Sequence, residues 1–229
     1  MTMATIAEPD LASVARVIGE PARAAMLAAL LGGQPLVAGV LARRAGVSPQ
    51  TASAHLARLV DSGLVTRRQA GRFRYYALAN GDVAALLEAM ARVAAAPAGA
   101  SRAMRFARTC YDHLAGRLGV RLTDALHERG LIAGTDGYGV TPAGEDWLAR
   151  FGIDVAALRA SRRTLVRPCL DWTERRDHVA GAVGAAIADA LLERRWVVRF
   201  DDTRAVRLTL RGREGLYRTL GLEVSDSLR

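Results

Sequence analysis

The sequence contains no lysine, so all 32 of its basic residues are arginines. GC-rich codon usage accounts for that choice, because the same codons favour the alanine and glycine that are abundant here. Aromatic residues make up only 5% of the chain, and cysteine occurs twice, at Cys110 and Cys169. Two cysteines exclude the disulfide framework that holds small secreted domains together. A reducing cytoplasm is therefore the expected compartment.

Long apolar runs are also missing. No uninterrupted stretch approaches the roughly 18–20 residues that a helix needs to cross a bilayer. The first residues, MTMATIAEPD, lack the basic and apolar segments of a signal peptide. These features predict a protein that does not enter a membrane. With 229 residues, the chain has room for one large domain or two small ones.

The positive charge of the chain is concentrated in one stretch. The formal net charge is +9, and seven arginines against one acid, Asp61, give residues 40–76 a charge of +6. A basic surface of this kind attracts a polyanion, because each phosphate that it neutralises releases counterions. Double-stranded DNA is therefore the expected partner. The seven arginines are Arg43, Arg44, Arg58, Arg67, Arg68, Arg72 and Arg74.

Helical periodicity and breaker residues divide the first 95 residues into helices and one hairpin. Ser48 can cap a helix that starts at Pro49, because serine accepts from a free helix N–H and proline suits the first turn. Alternating residues around Ala70-Gly71-Arg72 indicate the hairpin. The predicted elements are two helices between residues 10 and 32, helices over Val37–Ala45, Pro49–Ser62 and Asp82–Ala95, and strands over Leu64–Gln69 and Phe73–Leu78.

Two helices joined by a tight turn and followed by a hairpin have the layout of a winged helix-turn-helix. Pro49–Ser62 is the predicted recognition helix, and its small, polar first turn can enter the major groove of DNA. The residues spaced to face the core are Ala52, Leu56, Leu59 and Val60. The predicted DNA contacts are Gln50 and Thr51 for base edges, Ser48, Ser53 and His55 for phosphates, Arg58 for either, and Arg67, Arg68, Arg72 and Arg74 of the wing for the backbone or minor groove.

Residues 8–95 resemble the ArsR-type family of bacterial repressors. The resemblance is specific because its segments occur together, in order and with the right gaps. The matching segments are Ile18-Gly19-Glu20-Pro21-Ala22-Arg23, Leu41-Ala42, Gly46-Val47-Ser48, His55-Leu56, Leu59, Gly63-Leu64-Val65 and Gly71-Arg72-Phe73-Arg74-Tyr75-Tyr76.

The resemblance implies a homodimer, built largely from the first helix and the helix after the wing. It also implies a palindromic operator that the dimer leaves when an inducer binds. Many members hold a metal ion through thiolates in the positioning helix, but Val37–Ala45 has no cysteine or histidine. Other members use aspartate and histidine after the wing, but Asp82–Ala95 has no histidine. Neither familiar metal site can be carried over.

Residues 101–229 contain an internal repeat, with copies at about 103–156 and 166–223. Asp112-His113 in the first copy recurs as Asp177-His178 in the second, and Thr141 and Gly144 match Thr209 and Gly212. Each copy is predicted to run helix, strand-rich turn, helix. Two such copies can bury their apolar faces against each other across a pseudo-two-fold axis.

The expected fold class is therefore mainly α with short β-hairpins, or α+β. Residues 1–97 are predicted to form the winged helix-turn-helix domain, which binds DNA and dimerises. Ala94–Ala100 is a predicted linker. Residues 101–229 are predicted to form a duplicated region that binds an effector or contributes to dimerisation.

Four readings of the duplicated region stay open. Cys110, His113, Cys169 and His178 can converge on a soft metal ion, since thiolate and imidazole are its preferred ligands. Alternatively, the two thiols form a redox or persulfide switch. A small-molecule pocket between the copies is a third reading, lined by Tyr111, Trp172 and Trp196. In the fourth, both cysteines are small core residues and both histidines are ordinary helix residues. The cofactor is thus a soft metal ion or none.

The sequence predicts a cytoplasmic, sequence-specific transcriptional regulator, most simply a repressor released by an inducer. A phosphate-binding glycine loop, a nucleophile elbow and an HExxH motif are all missing from the sequence. Their absence disfavours an enzyme with an appended DNA-binding domain, so no catalytic residue is predicted. A sequence-neutral nucleoid protein is disfavoured because the basic charge sits on one helix–hairpin unit.

Overall fold

The structure is a computed structural model that describes residues 9–94, 99, 101–135, 137–201 and 203–224. These residues form two compact units. The first unit comprises the residues up to 30 together with 34–85, and the second comprises 31–33 together with the residues from 86 onward. The predicted linker Ala94–Ala100 falls mostly outside the described residues. No helix within the described ranges is both long and apolar enough to cross a membrane.

Helices with well-defined ends build the first unit. Each lies within two residues of its predicted bounds. The side chain of Ser48 caps one of them by accepting from the N–H of Thr51, and Gly46, with φ at 66°, ends the preceding one. The helices are α1 (Leu11–Ile18), α2 (Pro21–Leu30), α3 (Ala38–Ala45), α4 (Pro49–Asp61) and α5 (Gly81–Val93), which continues into the second unit.

A three-stranded antiparallel sheet completes the first unit. Its strands are β1 (Leu36–Val37), β2 (Val65–Ala70) and β3 (Phe73–Leu78), in the order β1-β3-β2. The hairpin was predicted, although its first strand begins and ends one residue later than expected. β1 was not predicted, and the helix expected to begin at Val37 begins one residue later. Two residues are too few for an alternating pattern, and the pairing of Leu36 with Tyr76 is set by the tertiary fold.

The second unit contains two copies of one supersecondary unit, each of which runs hairpin, helix, hairpin, helix. The predicted order of helix, strand-rich turn, helix was wrong at its start, because the Asp-His segment forms the second strand of a hairpin. The first copy and its leading helix are α6 (Arg102–Phe106), β4 (Arg108–Cys110), β5 (His113–Ala115), α7 (Gly116–Glu128), β6 (Ile132–Ala133), β7 (Gly139–Val140) and α8 (Pro142–Arg150). The second copy and its leading helix are α9 (Val155–Ala160), β8 (Arg167–Leu170), β9 (Asp177–Ala180), α10 (Gly181–Glu193), β10 (Val197–Arg199), β11 (Val206–Leu208) and α11 (Leu210–Leu220).

The two copies pack reciprocally. Helix α7 of the first copy contacts β9 of the second, α10 contacts β5, and the two strands lie beside each other. One apolar core runs through both copies and includes Leu118 and Leu122 of α7 with Val183 and Ile187 of α10. The repeat predicted that the two copies would bury their apolar faces against each other, and they do. The contact of each helix with a strand of the other copy was not predicted.

A threonine and a glycine recur at the start of the last helix of each copy. The Oγ1 atoms of Thr141 and Thr209 accept from the N–H groups of Gly144 and Gly212, each at 3.0 Å. A Cβ on either glycine would overlap the carbonyl oxygen of the preceding hairpin, that of Leu131 or of Trp196. The glycine therefore recurs because the helix approaches the backbone too closely for a side chain.

Candidate functional site

The first turn of α4 is exposed and polar. The Oγ atom of Ser48 lies 3.2 Å from the backbone nitrogen of Thr51 and 2.9 Å from its Oγ1. Ser53 donates to the carbonyl oxygen of Pro49 at 3.0 Å. Gln50 is exposed beside them, and its amide offers a donor and an acceptor together. The turn thus presents small hydrogen-bonding groups to the solvent.

The inner face of α4 holds the helix to the first unit. Ala52, Leu56 and Leu59 have no exposed surface, as predicted, whereas Val60 is half-buried. The residues between them lie on the outer face. Gln50, Thr51, Ser53, Ala54 and Arg58 are all exposed.

The wing carries four exposed arginines. Arg67 lies opposite Tyr76, and Arg68 lies opposite Tyr75, so the two arginines project from different faces of the hairpin. Arg72 occupies the turn, with its guanidinium carbon 5.0 Å from the centre of the Phe73 ring. The wing therefore carries positive charge on both faces and at its tip, together with Arg74 on β3.

His55 differs from the other predicted DNA contacts because it is half-buried. Its Nδ1 lies 3.3 Å from Oε2 of Glu20 and 3.5 Å from a guanidinium nitrogen of Arg23. Backbone hydrogen bonding from Arg23 lowers the pKa of Glu20. Arg23 also donates to the carbonyl oxygens of Val17 and Arg16. One ring nitrogen of His55 thus faces the protein and ties α4 to the corner between α1 and α2.

In the second unit, the first hairpin of each copy places a cysteine directly opposite a histidine. Cys110 pairs with His113 across a two-residue turn, and Cys169 pairs with His178 across a longer loop. The insertion in the second copy lies in that loop and leaves the pairing intact. The histidines therefore lie in strands, not in helices as one reading of the sequence required.

These four side chains form one buried cluster. The two sulfur atoms and one nitrogen from each ring all lie within 4.8 Å of one another. The Nε2 atoms of His113 and His178 are 3.1 Å apart, so one ring can donate a hydrogen bond to the other. The exposed fractions are 7% for Cys110, 3% for Cys169 and 1% for each histidine. The four residues that the sequence singled out are brought together.

Glu88 of α5 also meets the cluster, and the sequence did not predict it. Cys110 donates to its Oε1 and Cys169 to its Oε2, each at 3.5 Å. Arg167 donates to Oε2 at 3.1 Å, and Nε2 of His113 is 3.9 Å from Oε1. Glu88 is only 7% exposed. The one signal in the sequence that could have identified Glu88 is its place beside Leu87, on the apolar side of α5. Glu88 lies outside the repeat.

The other nitrogen of each ring faces a carboxylate. Nδ1 of His113 lies 3.3 Å from Oδ1 of Asp112, and Nδ1 of His178 lies 3.8 Å from Oδ2 of Asp171. Nδ1 of His178 is buried with no hydrogen-bond partner among the described residues. Burial lowers the pKa of His113, but its contacts with Asp112 and Cys110 raise the pKa by more than burial lowers it, to about 9.

The thiol of Cys110 is held in its protonated form. Hydrogen bonding with Cys169, and then burial, raise the pKa of Cys110 to about 12. A neutral, buried thiol is a weak nucleophile, because the thiolate is the reactive form. Both cysteines are free, although their sulfur atoms belong to one cluster.

A buried ion pair between Arg108 and Asp171 supports the cluster, and sequence reasoning missed it. The guanidinium nitrogen and the carboxylate oxygen are 2.8 Å apart, and both side chains are 0% exposed. Asp171 also accepts from the N–H of Gly116 at 2.7 Å and from that of Thr173 at 2.8 Å. Burial raises the pKa of Asp171, but Arg108 and these donors hold it well below its usual range. The pair joins the first hairpin to the loop of the second.

The aromatic residues suggested for a small-molecule pocket lie in three separate settings. Trp196 belongs to the apolar core and packs edge-on against Phe151, with ring centres 5.5 Å apart. Trp172 covers Arg108, whose guanidinium carbon is 4.3 Å from the ring centre. Tyr111 sits in the first hairpin turn with φ at 58°. The contacts seen for these three residues are thus with the apolar core, with a buried guanidinium and within a hairpin turn.

Known proteins resemble the chain over both units. A family model described as a helix-turn-helix domain matches residues 18–68. The chain is also 37% identical over 224 residues to YdfF of Bacillus subtilis (strain 168), an uncharacterized HTH-type transcriptional regulator. That match covers 94% of this chain and 99% of the relative, so it includes the duplicated region.

Solved structures resemble part of the chain. Reduced HlyU from Vibrio cholerae N16961 is 29% identical and matches 36% of this chain and 85% of its own, with a TM-score of 0.33. A homodimeric winged helix-turn-helix DNA-binding domain from Mycobacterium bovis, described as a possible ArsR-family regulator, is 33% identical. It matches 34% of this chain and 72% of its own, with a TM-score of 0.32.

Proposed function

The chain belongs to the HTH-type transcriptional regulators, and from that premise we propose that its winged helix-turn-helix is of the ArsR type and that the protein is a homodimeric repressor. The dimer binds a palindromic operator and is released by an inducer. One observation carries this proposal: α4 and the wing present exposed polar and arginine side chains from a single unit. The protein acts by binding rather than by catalysis, beside the chromosome in the cytoplasm.

Each exposed residue of this surface has a proposed role. Gln50 and Thr51 read base edges, because they stand at the helix end that enters the major groove. Ser48, Ser53 and the Nε2 atom of His55 contact phosphates, and Arg58 reaches a base or a phosphate. The wing residues Arg67, Arg68, Arg72 and Arg74 neutralise the backbone on either side of the groove.

An exposed apolar stripe on α5 supports the homodimer. Leu86, Met90 and Val93 follow one another at helical spacing and are 39%, 41% and 88% exposed. On α1, Leu11 is 75% exposed. Clustered apolar side chains in contact with water favour association. We assign both helices to the interface with a second copy of this chain.

Replacing Met90 with glutamate should convert the dimer into a monomer at micromolar concentration, because it puts a charge in the middle of the apolar stripe. Sedimentation equilibrium measures the change. Ala85→Glu is the matched control, since it adds the same charge to an exposed position of α5 about a quarter turn from the stripe. A Met90→Glu protein that remains dimeric contradicts this interface.

Selection of binding sites from random duplex DNA tests the function itself. The full-length protein should enrich one palindromic sequence and bind it at physiological salt more tightly than unrelated duplexes. Equal affinity for all sequences would contradict the proposal and favour the nucleoid alternative. Turnover of a substrate that requires residues of the duplicated region would favour the enzyme alternative.

Gln50→Ala and Arg72→Ala should weaken DNA binding in different ways. Loss of Gln50 should cost ~1–3 kcal/mol, mainly at one base pair, because a side-chain amide reads a base edge. Loss of Arg72 should weaken binding to every sequence alike and reduce the salt slope by about 1, because its contact is with phosphate. Binding isotherms on the selected operator and its single-base variants separate the two effects. An Arg72→Ala protein with altered base preference would reverse the assignment.

A further inference from the structure

We propose that Cys110, His113, Cys169 and His178 form a binding site for a thiophilic divalent cation of the zinc type, and that its occupancy acts on DNA binding through Glu88. The binding of the cation stands on the geometry of the second unit alone. Its effect on DNA rests on the proposed function.

The four donors lie close enough together for one tetrahedral ion to reach them all after small side-chain movements. Each copy of the repeat supplies one sulfur and one nitrogen from a single hairpin. In a tetrahedral zinc site, neighbouring donors lie about 3.3–3.8 Å apart, given bond lengths of roughly 2.0–2.3 Å. The ring nitrogens of His113 and His178 are already 3.1 Å apart, and all four donors lie within 4.8 Å. Small side-chain movements would therefore complete the site.

The outer side of each imidazole is also arranged as in a metal site. A histidine ligand usually offers its second ring nitrogen to a carboxylate, which fixes the ring and strengthens the metal bond. His113 has Asp112 in this position at 3.3 Å, and His178 has Asp171 at 3.8 Å. Nδ1 of His178 has no hydrogen-bond partner among the described residues, and the Asp171 carboxylate that lies 3.8 Å away already accepts from Arg108.

Packing alone does not account for this cluster. A hydrophobic core gains nothing from two imidazoles placed nitrogen to nitrogen, and buried polar groups cost free energy unless they are satisfied. A redox switch fits no better, because regulatory thiols are exposed to their oxidant and carry depressed pKa values. Cys110 and Cys169 are 7% and 3% exposed. The pairing of two sulfurs with two nitrogens selects a borderline-soft cation over magnesium or calcium.

Binding of the cation changes the surroundings of Glu88. Each of the two thiols loses its proton to solvent as its sulfur–metal bond forms, and a proton on the coordinating nitrogen of either histidine leaves in the same way, because only a deprotonated nitrogen can bind the ion. No oxidant is needed. Glu88 then loses both donors that now hold its carboxylate and keeps Arg167. Since Glu88 belongs to α5, which begins in the first unit, α5 is the element that carries the change to the DNA-binding part.

Cobalt(II) binding to the reduced, chelator-treated full-length protein tests the site without DNA. We expect one ion per chain, ligand-field and thiolate-to-cobalt charge-transfer bands for two sulfurs, release of at least the two thiol protons, and displacement of cobalt by zinc. The wild-type protein alone decides the outcome. An absence of stoichiometric cobalt, or a spectrum without thiolate bands, overturns the site.

Variants locate the bound ion. Cys110→Ser combined with Cys169→Ser should remove the thiolate bands and lower zinc affinity by at least 100-fold, because both sulfur ligands are lost. His127→Gln is the matched control, since His127 is a half-buried histidine of the same unit that packs on Tyr138 outside the cluster. Loss of binding in His127→Gln, with binding retained in the double variant, would place the ion elsewhere and overturn the proposal.

DNA affinity measured with and without zinc tests the role of Glu88. Zinc should change operator affinity of the wild-type protein by roughly 5- to 150-fold, the usual range of coupling between two sites. Glu88→Gln should bind zinc and bind DNA in the zinc-free state, but its DNA affinity should respond much less to zinc. Zinc binding with an unchanged wild-type DNA affinity overturns the regulatory half. A zinc-free protein that selects no DNA sequence instead contradicts the proposed function and leaves the cation site standing.

Discussion

Replacing Asp171 with asparagine should destabilise the second unit by about 3–5 kcal/mol. Asparagine preserves the shape of the side chain but removes its charge, and the guanidinium of Arg108, which is 0% exposed, then lacks a counter-ion. Few alternative partners can compensate, since the Nε atom of Arg108 is already buried without one among the described residues. The hydrogen bond that Asp171 accepts from Gly116 also weakens at the start of α7.

Tryptophan fluorescence during urea unfolding measures this loss, because Trp147, Trp172 and Trp196 all belong to the second unit. Asp124→Asn is the matched control. Asp124 also pairs with an arginine, Arg176 at 2.6 Å, but the two side chains are 32% and 61% exposed. That exposed pair should contribute about 0–1 kcal/mol. Equal losses of unfolding free energy in the two variants would show that burial does not make the Arg108–Asp171 pair more important for stability than an exposed pair.

The DNA-binding part was predictable because its signals are local. The cap at Ser48, the stop at Gly46 and the spacing of Ala52, Leu56 and Leu59 act within one or two helical turns, and each appears where the sequence indicated. Strand β1 escaped prediction because Leu36 and Val37 become a strand only by pairing with β3. Its formation depends on residues some forty positions away.

The cation site was predictable only in part, for a related reason. The repeat pointed to the two cysteines and two histidines, since a duplicated hairpin duplicates its donors. The prediction of secondary structure was wrong there, because Cys110 and His113 are three residues apart and this spacing also suits one face of a helix. Glu88 lies outside the repeat, and its role arises from contacts with residues 22 and 81 positions away. Asp171 follows Cys169 as Asp112 follows Cys110, but its role arises from contacts with residues 55 and 63 positions away, which that spacing does not indicate.

Two glycines connect the fold of the repeat to the position of its histidines. A Cβ on Gly119 of α7 would lie 2.5 Å from the carbonyl oxygen of Leu114 and 3.6 Å from Cβ of His178. A Cβ on Gly184 of α10 would lie 2.6 Å from the carbonyl oxygen of Val179 and 3.3 Å from Cβ of His113. Each helix thus packs directly behind the histidine of the other copy, where only glycine fits.

Gly119→Ala and Gly184→Ala should therefore each destabilise the second unit by about 1–3 kcal/mol, the usual cost of overpacking. The methyl group must push the helix away from the backbone of its own hairpin, and this cost exceeds the gain of up to about 1 kcal/mol that alanine brings to a helix. Gly139→Ala is the control, since its Cβ would have no neighbour closer than 3.9 Å. Urea unfolding followed by tryptophan fluorescence should leave that variant close to wild type.

The same two variants distinguish an effect on the position of the histidines from a general loss of stability. The displaced helices lie behind His178 and His113. Both variants should therefore bind cobalt more weakly even without urea, when the protein is fully folded, whereas the cobalt affinity of Asp124→Asn should be unchanged. Gly184→Ala should have the larger effect on cobalt, since its methyl group would approach a histidine Cβ to 3.3 Å, against 3.6 Å for Gly119→Ala. Destabilised variants with unchanged cobalt affinity would mean that the hairpins alone, through their cysteine–histidine pairs, set the geometry of the site.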